Sequence, residues 1–376
     1  MNDITELCEL SSEINGAKII FATDDAFGLA ENLLKETEPK KQKSKENGYE
    51  IMDAWVPRRK QIFYECDFVI IKLATRAEIH FICVDTALLI GNAAPQFSVQ
   101  ASKLSDSDIP QPCKRNLGNS ANNENWAFIT QYNSESWLQI IPRQLLNPGY
   151  SSMSKKYFMI PSKGEEYSHV RLNVFPYGGI SRLRIYGKVT KPIFIPPTLN
   201  MQIDLVSKIY GGKCISYSSC YNNTHPNNLI KPSESINDED GWQTARSLIR
   251  SPTDFSNSAA NLFNYFVDEI VGEEWAVFQL SKGYNSIIDS IILDTSFCVG
   301  KGPYVVRVQG ITEDVCLNDM TNKQWQNIIP YTIVNVGTKQ LILAQNQTKN
   351  MAYVKLLIKP DGCISRFRVL GKFRTY

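Results

Sequence analysis

The chain lacks most of the motifs that announce a chemistry. Histidine is scarce: His80, His169 and His225 are the only three in 376 residues, and they are widely scattered. There is no H-E-x-x-H zinc pair, no phosphate loop and no G-x-S-x-G nucleophile turn. No cluster with metal-ligand spacing is visible, so neither a metal nor another cofactor is expected. No apolar run reaches the ~18 residues of a membrane-spanning helix, which excludes a membrane-embedded helical protein. Net charge is only +2, and without a basic field nucleic acid is excluded as a partner. The nine cysteines form no C-x-x-C pair, and several, such as Cys83 and Cys298, sit in apolar runs. They read as buried thiols of a reducing compartment, not as a disulfide framework. Met1 to Glu13 is acidic and polar, unlike a secretory leader, so the expected location is the cytoplasm.

What is present is strand periodicity. In Ser168–Gly187, Val170, Leu172 and Val174 alternate with Arg171 and Asn173, the period of a half-buried strand. Pro176-Tyr-Gly-Gly179 supplies turn chemistry. Leu183 and Ile185 then alternate with Arg182 and Arg184, which are expected to face outward. The whole reads as a β-hairpin. A matching stretch, Ala352–Gly371, closes the chain, with Arg366 and Arg368 in the places of Arg182 and Arg184 and a final glycine in each.

Other segments recur in the same order. Gly16–Asp24 matches the stretch from Gly211, which sets Asp24-Asp25 against Ser218-Ser219. Asn32-Leu33-Leu34 matches Asn228-Leu229-Ile230, and Asp53, Trp55 and Arg58-Arg59 match Asp240, Trp242 and Ala245-Arg246. Asp67–Leu73 matches Glu274–Leu280, Asp85-Thr86 matches Asp294-Thr295, and Trp137 with Ile141-Pro142 matches Trp325 with Ile329-Pro330. Strands are short, turn residues are frequent and long helical periods are scarce. The expected fold is all-β: two tandem jelly-roll β-sandwich repeats, 1–190 and 200–376, joined by the proline-rich stretch Lys188–Leu199. Pro39–Lys45 reads as a solvated lysine loop. Ser102–Asn125 reads as a mobile loop, and Thr253–Asn264 resembles it.

The recurring Asp-x-Trp-x-x-x-Arg pattern is the main candidate for chemistry: Asp53, Trp55 and Arg59, then Asp240, Trp242 and Arg246. Arginine forks onto a carboxylate, indole can wall a pocket, and aspartate can move a proton. The same pattern also suits an Asp–Arg pair beside a packed tryptophan that holds a loop. His225 precedes Pro226-Asn227-Asn228 in a loop beside these residues. Asp24-Asp25 with Glu31-Asn32 gathers acids in the first copy alone.

These residues carry a resemblance to the allantoicase family. Phe21-Ala-Thr-Asp-Asp25 with Ala30–Leu33, Asp53-x-Trp55-x-x-Arg58-Arg59-Lys60, His225–Leu229, Asp240–Arg246 and the two closing stretches resemble that family in collinear order from about Gly16 to Gly371. The resemblance implies jelly rolls of the galactose-binding-like type. It implies hydrolysis of allantoate to ureidoglycolate and urea in purine (allantoin) degradation, and assembly as a homo-oligomer. On that chemistry Arg58, Arg59 or Arg246 is expected to hold the substrate carboxylate. Asp53, Asp24 or Asp240 would handle the proton, Asn32 or Asn228 would bond the ureido groups, and Trp55, Trp242 and His225 would complete the binding set. The family's Asp-Gly-Trp-Glu-Thr pattern reads Asp53-Ala-Trp-Val-Pro57 in one copy and Asp240-Gly-Trp-Gln-Thr244 in the other. Its glutamate is thus replaced twice. The alternative expectation is a catalytically impaired protein that binds a ureide or a sugar.

Overall fold

The computed structural model describes residues 7–43, 50–59, 66–105, 110–150, 152–161, 163–191, 202–222, 224–247, 267, 270–281, 285–312, 325–345 and 350–374. Lys60, Cys316, most of the proline connector and the stretch Thr253–Asn264 lie outside them. The chain divides into two compact units, Leu7–Ile193 and Phe194–Tyr376.

The first unit comprises β1 (Cys8–Glu9), β2 (Lys18–Ala22), β3 (Gln42–Lys43), β4 (Glu50–Ile51), β5 (Asp67–Asp85), β6 (Gln96–Ser102), the helix α1 (Asn123–Thr130), β7 (Leu138–Leu145), β8 (Lys155–Met159), β9 (Tyr167–Phe175) and β10 (Arg182–Lys191). The second comprises β11 (Ile203–Asp204), β12 (Lys213–Tyr217), β13 (Trp242–Gln243), β14 (Glu274–Gln279), β15 (Asn285–Asp294), β16 (Val305–Ile311), β17 (Gln326–Ile333), β18 (Lys339–Leu343), β19 (Tyr353–Lys359), β20 (Cys363–Ile364) and β21 (Arg366–Arg374). Ladders between these strands are antiparallel.

Each unit is a sandwich of two sheets. In the second, β12-β14-β19-β16-β17 faces β11-β21-β15-β18. In the first, one 19-residue strand serves both sheets. The start of β5 pairs with β2 and β9, and its end with β10 and β8. Its inward residues Val69, Ile71 and Leu73 meet Val170, Leu172 and Phe97 of one sheet. Ile82 and Val84 meet Leu183 and Ile185 of the other, and all of these are within 0–1% of full burial. The second core is built the same way from Ala276, Phe278, Leu356, Ile291, Phe367 and Val369. Burial of such apolar surface is the main stabilising term of each sandwich.

The structure corrects the hairpin expectation. β9 pairs with β5 and β6, and β10 with β1 and β5; the two strands never pair with each other. They are consecutive but belong to opposite sheets, and β19 and β21 repeat the arrangement. The connecting turn spends its hydrogen bonds elsewhere: Ile180 exchanges N–H···O bonds with Trp55, and Gly179 with Asn92 and Ala94. Alternation reports which side chains enter a core, not which strand supplies the backbone partner. Arg182 and Arg366 are likewise not outward; they are 2% and 1% exposed. The glycines Gly187 and Gly371 do not end their strands, which run on to Lys191 and Arg374. They sit at register shifts, where a Cβ on Gly187 would lie 2.4 Å from the Glu78 carbonyl and one on Gly371 2.0 Å from that of Ile287.

Two further expectations change. The segment from Pro110 to Asn125, read as a mobile loop, docks along the end of β2. Cys113 N donates to Ile20 O, Ala121 N to Thr23 O, Gly118 N to Asp25 O, and Asp25 N donates back to Asn119 O. α1 then follows and sets Trp126 edge-on against Phe21 and Phe68. Cys298 and Cys363, read as thiols, form a disulfide with Cα atoms 5.4 Å apart; the other six described cysteines are thiols, as expected. No helix among the described residues is long and apolar enough to cross a membrane.

Replacing Gly187 or Gly371 by alanine pushes a methyl group into a neighbouring strand's carbonyl. Each variant is expected to lose about 1–3 kcal/mol in a urea titration, the usual cost of overpacking.

Candidate active site

The repeated Asp-x-Trp element is built the same way in both units. Trp55 and Trp242 are fully buried. Their indole N–H groups donate to the Asp24 and Ser219 carbonyls, at 2.9 and 2.8 Å. The strand before each tryptophan is held by an asparagine: Asn32 Nδ2 donates to Ala54 O at 2.9 Å, and Asn228 Nδ2 to Gly241 O at 3.1 Å. Asp53 binds Arg182 Nη2 at 2.8 Å and Lys35 Nζ at 3.0 Å. Asp240 binds Arg366 and Lys231 in the same way. Arg182 also donates to the carbonyls of Thr37, Asp53 and Ser181, and Arg366 to those of Ser233, Asp240 and Ser365. The arginine that meets each aspartate therefore comes from β10 or β21, not from the position four residues after the tryptophan.

The other candidates separate. Arg59 is exposed, lies over the Tyr177 ring and donates to its hydroxyl at 2.8 Å. Arg246 is exposed in the second unit. His225 caps a short turn by accepting from Asn227 N at 3.0 Å, with its ring edge-on to Tyr217. Asp24 and Arg58 do come together: Asp24 Oδ1 accepts from the Arg58 N–H at 3.2 Å, and Arg58 Nε lies 3.6 Å from Asp24 Oδ2.

Arg58 borders a cleft of about 490 Å³, within the ~300–1,000 Å³ range usual for small-molecule sites. Asp25, Lys114, Arg115, Asn119, Asn122 and Asn125 also line it. The largely shielded side chain of Arg115 bridges two acids, reaching Asp25 Oδ2 at 2.7 Å and Glu31 through its other terminal nitrogen. Asp25 Oδ1 accepts from Ala30 N at 2.8 Å. Burial pushes the Asp25 carboxyl above its ordinary value and outweighs Arg115 and the Ala30 N–H. Lys114, Arg115 and the asparagines carry no repeat signature, so self-comparison of the sequence passed over them. Their density in a polar loop was the available signal. No group of three or more His, Cys, Asp or Glu side chains suited to a metal occurs among the described residues.

The second unit keeps the scaffold, but among its described residues the counterparts of Asp25, Glu31 and Arg58 are uncharged. The tryptophan hydrogen bonds equate Asp24 with Ser219, one residue on from the expected match, because Thr23 N and Ser218 N donate to equivalent carbonyls. Asp25 then corresponds to Cys220, Glu31 to Asn227 and Arg58 to Ala245.

Fold and cleft define a class: a tandem jelly-roll protein whose loops, not its sheets, carry the charged groups of the cleft. The Allantoicase repeat model matches residues 8–190 and 203–374, and the chain belongs to the allantoicase family. It is 28% identical over 363 residues to a probable allantoicase of Pseudomonas savastanoi pv. phaseolicola, covering 95% of this chain and 93% of that one. It is 28% identical to the allantoicase of Dictyostelium discoideum over 374 residues, 97% and 87% of the two chains. The crystal structure of allantoicase from Saccharomyces cerevisiae superposes with a TM-score of 0.57 at 25% identity, covering 97% and 93%.

Burial opposes the charge on Asp53, but Arg182, Lys35 and the Lys40 N–H outweigh it and hold the carboxyl below its ordinary 3.8. Asp240 is held low in the same sense, by Lys231 and Arg366 against burial. A lowered native value means the stabilisation is complete above pH ~3.8 and drains away as pH falls further. Thermal melts from pH 6 down to pH 2.5 are expected to show Asp53→Asn less stable than the parent at pH 6. The difference should shrink toward the acid end.

Proposed function

We propose that this protein hydrolyses allantoate to ureidoglycolate and urea, and that the cleft of the first repeat carries the reaction. Membership of the allantoicase family supports the hydrolase activity. The observation that carries the assignment of the site is the selective one: the two repeats share their buried scaffold, and the first alone adds Asp25, Glu31 and Arg58.

The reaction breaks the bond between the central carbon and one ureido nitrogen. The electron pair leaves with that nitrogen, which takes a proton and departs as urea. Water adds to the carbon and gives up a proton. Asp25 donates the first proton and, as carboxylate, collects the second, so it ends as it began. Arg58 and Lys114 hold the substrate carboxylate. Asn119 and Asn122 bond the ureido groups through paired donors and acceptors. Asp24 orients Arg58. Asp53, Asn32 and Trp55 fix the loop beneath, as Asp240, Asn228 and Trp242 do in the second repeat. Arg59, Arg246 and His225 take no part in the chemistry.

Homo-oligomerisation and a cytoplasmic location complete the reading. For the first, both repeats expose large apolar side chains at matching positions of an edge strand, Tyr157 and Met159 on β8 and Leu341 and Leu343 on β18. Such edges favour pairing with a second copy, which sedimentation would detect.

Urea release from allantoate tests the activity. Asp25→Asn is expected to lower kcat by about 10²-fold or more, the usual share of a proton-transfer group. Arg58→Ala is expected to raise KM by about tenfold, the loss of one charge-assisted contact. Ureide binding without urea release by the parent protein would favour the impaired-binder alternative.

A further inference from the structure

The proton donor in the cleft has two charged neighbours: Arg115, which also lines the cleft, and Glu31, which stands where the second repeat has Asn227. Arg115 reaches Asp25 with one terminal nitrogen and Glu31 with the other. Its side chain is only 7% exposed, that of Asp25 3%, and that of Glu31 47%. The three residues come from three segments: Asp25 from the loop after β2, Glu31 from the short turn Ala30–Leu34, and Arg115 from the docked segment before α1. That segment is pinned on both sides of Asp25 by backbone hydrogen bonds, Asp25 N to Asn119 O and Gly118 N to Asp25 O. Main-chain pairing therefore fixes the segment from which the Arg115 guanidinium reaches both acids. A scaffold role alone would lead one to expect the cluster in both repeats, as with Asp53–Arg182 and Asp240–Arg366. Instead Cys220 and Asn227 stand in the positions of Asp25 and Glu31.

We propose that Arg115 is a positioning residue shared between Asp25 and Glu31, and that this clamp sets the proton-donating role of Asp25. The proposal rests on the reaction assigned above. A single arginine facing one buried acid would lock it as a carboxylate. Divided between two acids, the same guanidinium neutralises each only in part. Glu31, at the half-exposed end, draws the cation away from Asp25 and leaves that carboxyl able to hold a proton. The burial of Asp25 acts in the same direction. The other charged groups at this place are Asp24 beside it, Arg58, which pairs with Asp24 and lines the cleft, and Lys114 on the docked segment. None of them is contributed by the inner faces of the sheets.

The clamp predicts opposite effects from its two ends. Removing Arg115 takes away the cation that favours the carboxylate. Removing the charge of Glu31 takes away a like charge and frees Arg115 for Asp25. The experiment uses the full chain labelled with 13C-carboxyl aspartate, the Asp25 signal being assigned by its absence from Asp25→Asn. The titration midpoint of Asp25 is followed in the parent, Arg115→Gln, Arg115→Lys and Glu31→Gln. Urea release from allantoate is measured on the same samples across pH. Arg115→Gln is expected to raise the Asp25 midpoint by about 1 pH unit or more, and Glu31→Gln to lower it. Arg115→Lys should stay near the parent, and it serves if Arg115→Gln fails to fold. The alkaline limb of kcat/KM should move with the midpoint in each variant. Midpoints that stay still or move together overturn the clamp. A limb that ignores the midpoint overturns the role of Asp25 as the donor it controls. Opposed midpoint shifts in a parent protein that releases no urea leave the clamp standing and remove the allantoate reading instead.

Discussion

A buried guanidinium meets a carboxylate in each repeat, that of Asp53 buried and that of Asp240 half-buried, and the geometry around it depends on that meeting. Arg182 and Arg366 reach Asp53 and Asp240 from the strand that follows the inter-sheet turn. Taking an arginine and an aspartate out of water costs several kcal/mol per ion unless every donor finds an acceptor. Here the acceptors are supplied. Besides the carboxylate, each guanidinium serves main-chain carbonyls of the loop before the tryptophan, of the aspartate itself and of the preceding serine. The pair thereby ties three separate stretches of chain at one point. Breaking it would leave a charge stranded in the interior.

That tie explains the division of labour between sheets and loops. The sandwich fixes where the tryptophan strand lies. The tryptophan N–H then fixes the carbonyl of residue 24 or 219, and with it the start of the loop that follows β2 or β12. In the first repeat this loop turns Asp24 to Arg58 and Asp25 to Arg115 of the docked segment. In the second the same backbone carries serine and cysteine. One scaffold therefore supports a charged cleft in one setting and a plain loop in the other, and the free energy of folding is spent in the same places in both.

The repeats also solve one packing problem by different chemistry. Leu89 lies four residues after Asp85 and covers Gly179, where an added Cβ would fall 3.0 Å from the leucine methyl. The corresponding residues of the second repeat are Cys298 and Cys363, which are bonded to each other. A leucine over a glycine and a disulfide both fasten the loop after the long strand to the turn that pairs with the tryptophan. The reading of Cys298 as a buried small hydrophobe gave its burial correctly and missed its partner. Neither cysteine lies near the other in sequence, and sequence alone does not report such a pairing.

The amino-acid order by itself settled the duplication, the all-β class and the apolar side chains that fill the two cores, because alternation with period two and turn residues are local properties of the chain. It also marked Asp53, Trp55, Arg182 and their counterparts as repeated. It could not say that Arg182 turns inward to Asp53, that β9 and β10 part company to opposite sheets, or that Arg115 travels some 90 residues along the chain to meet Asp25. Those facts were decided by tertiary structure. Which backbone edge a strand finds, and which charge a buried group meets, depends on partners brought together only when the two sheets close on their core.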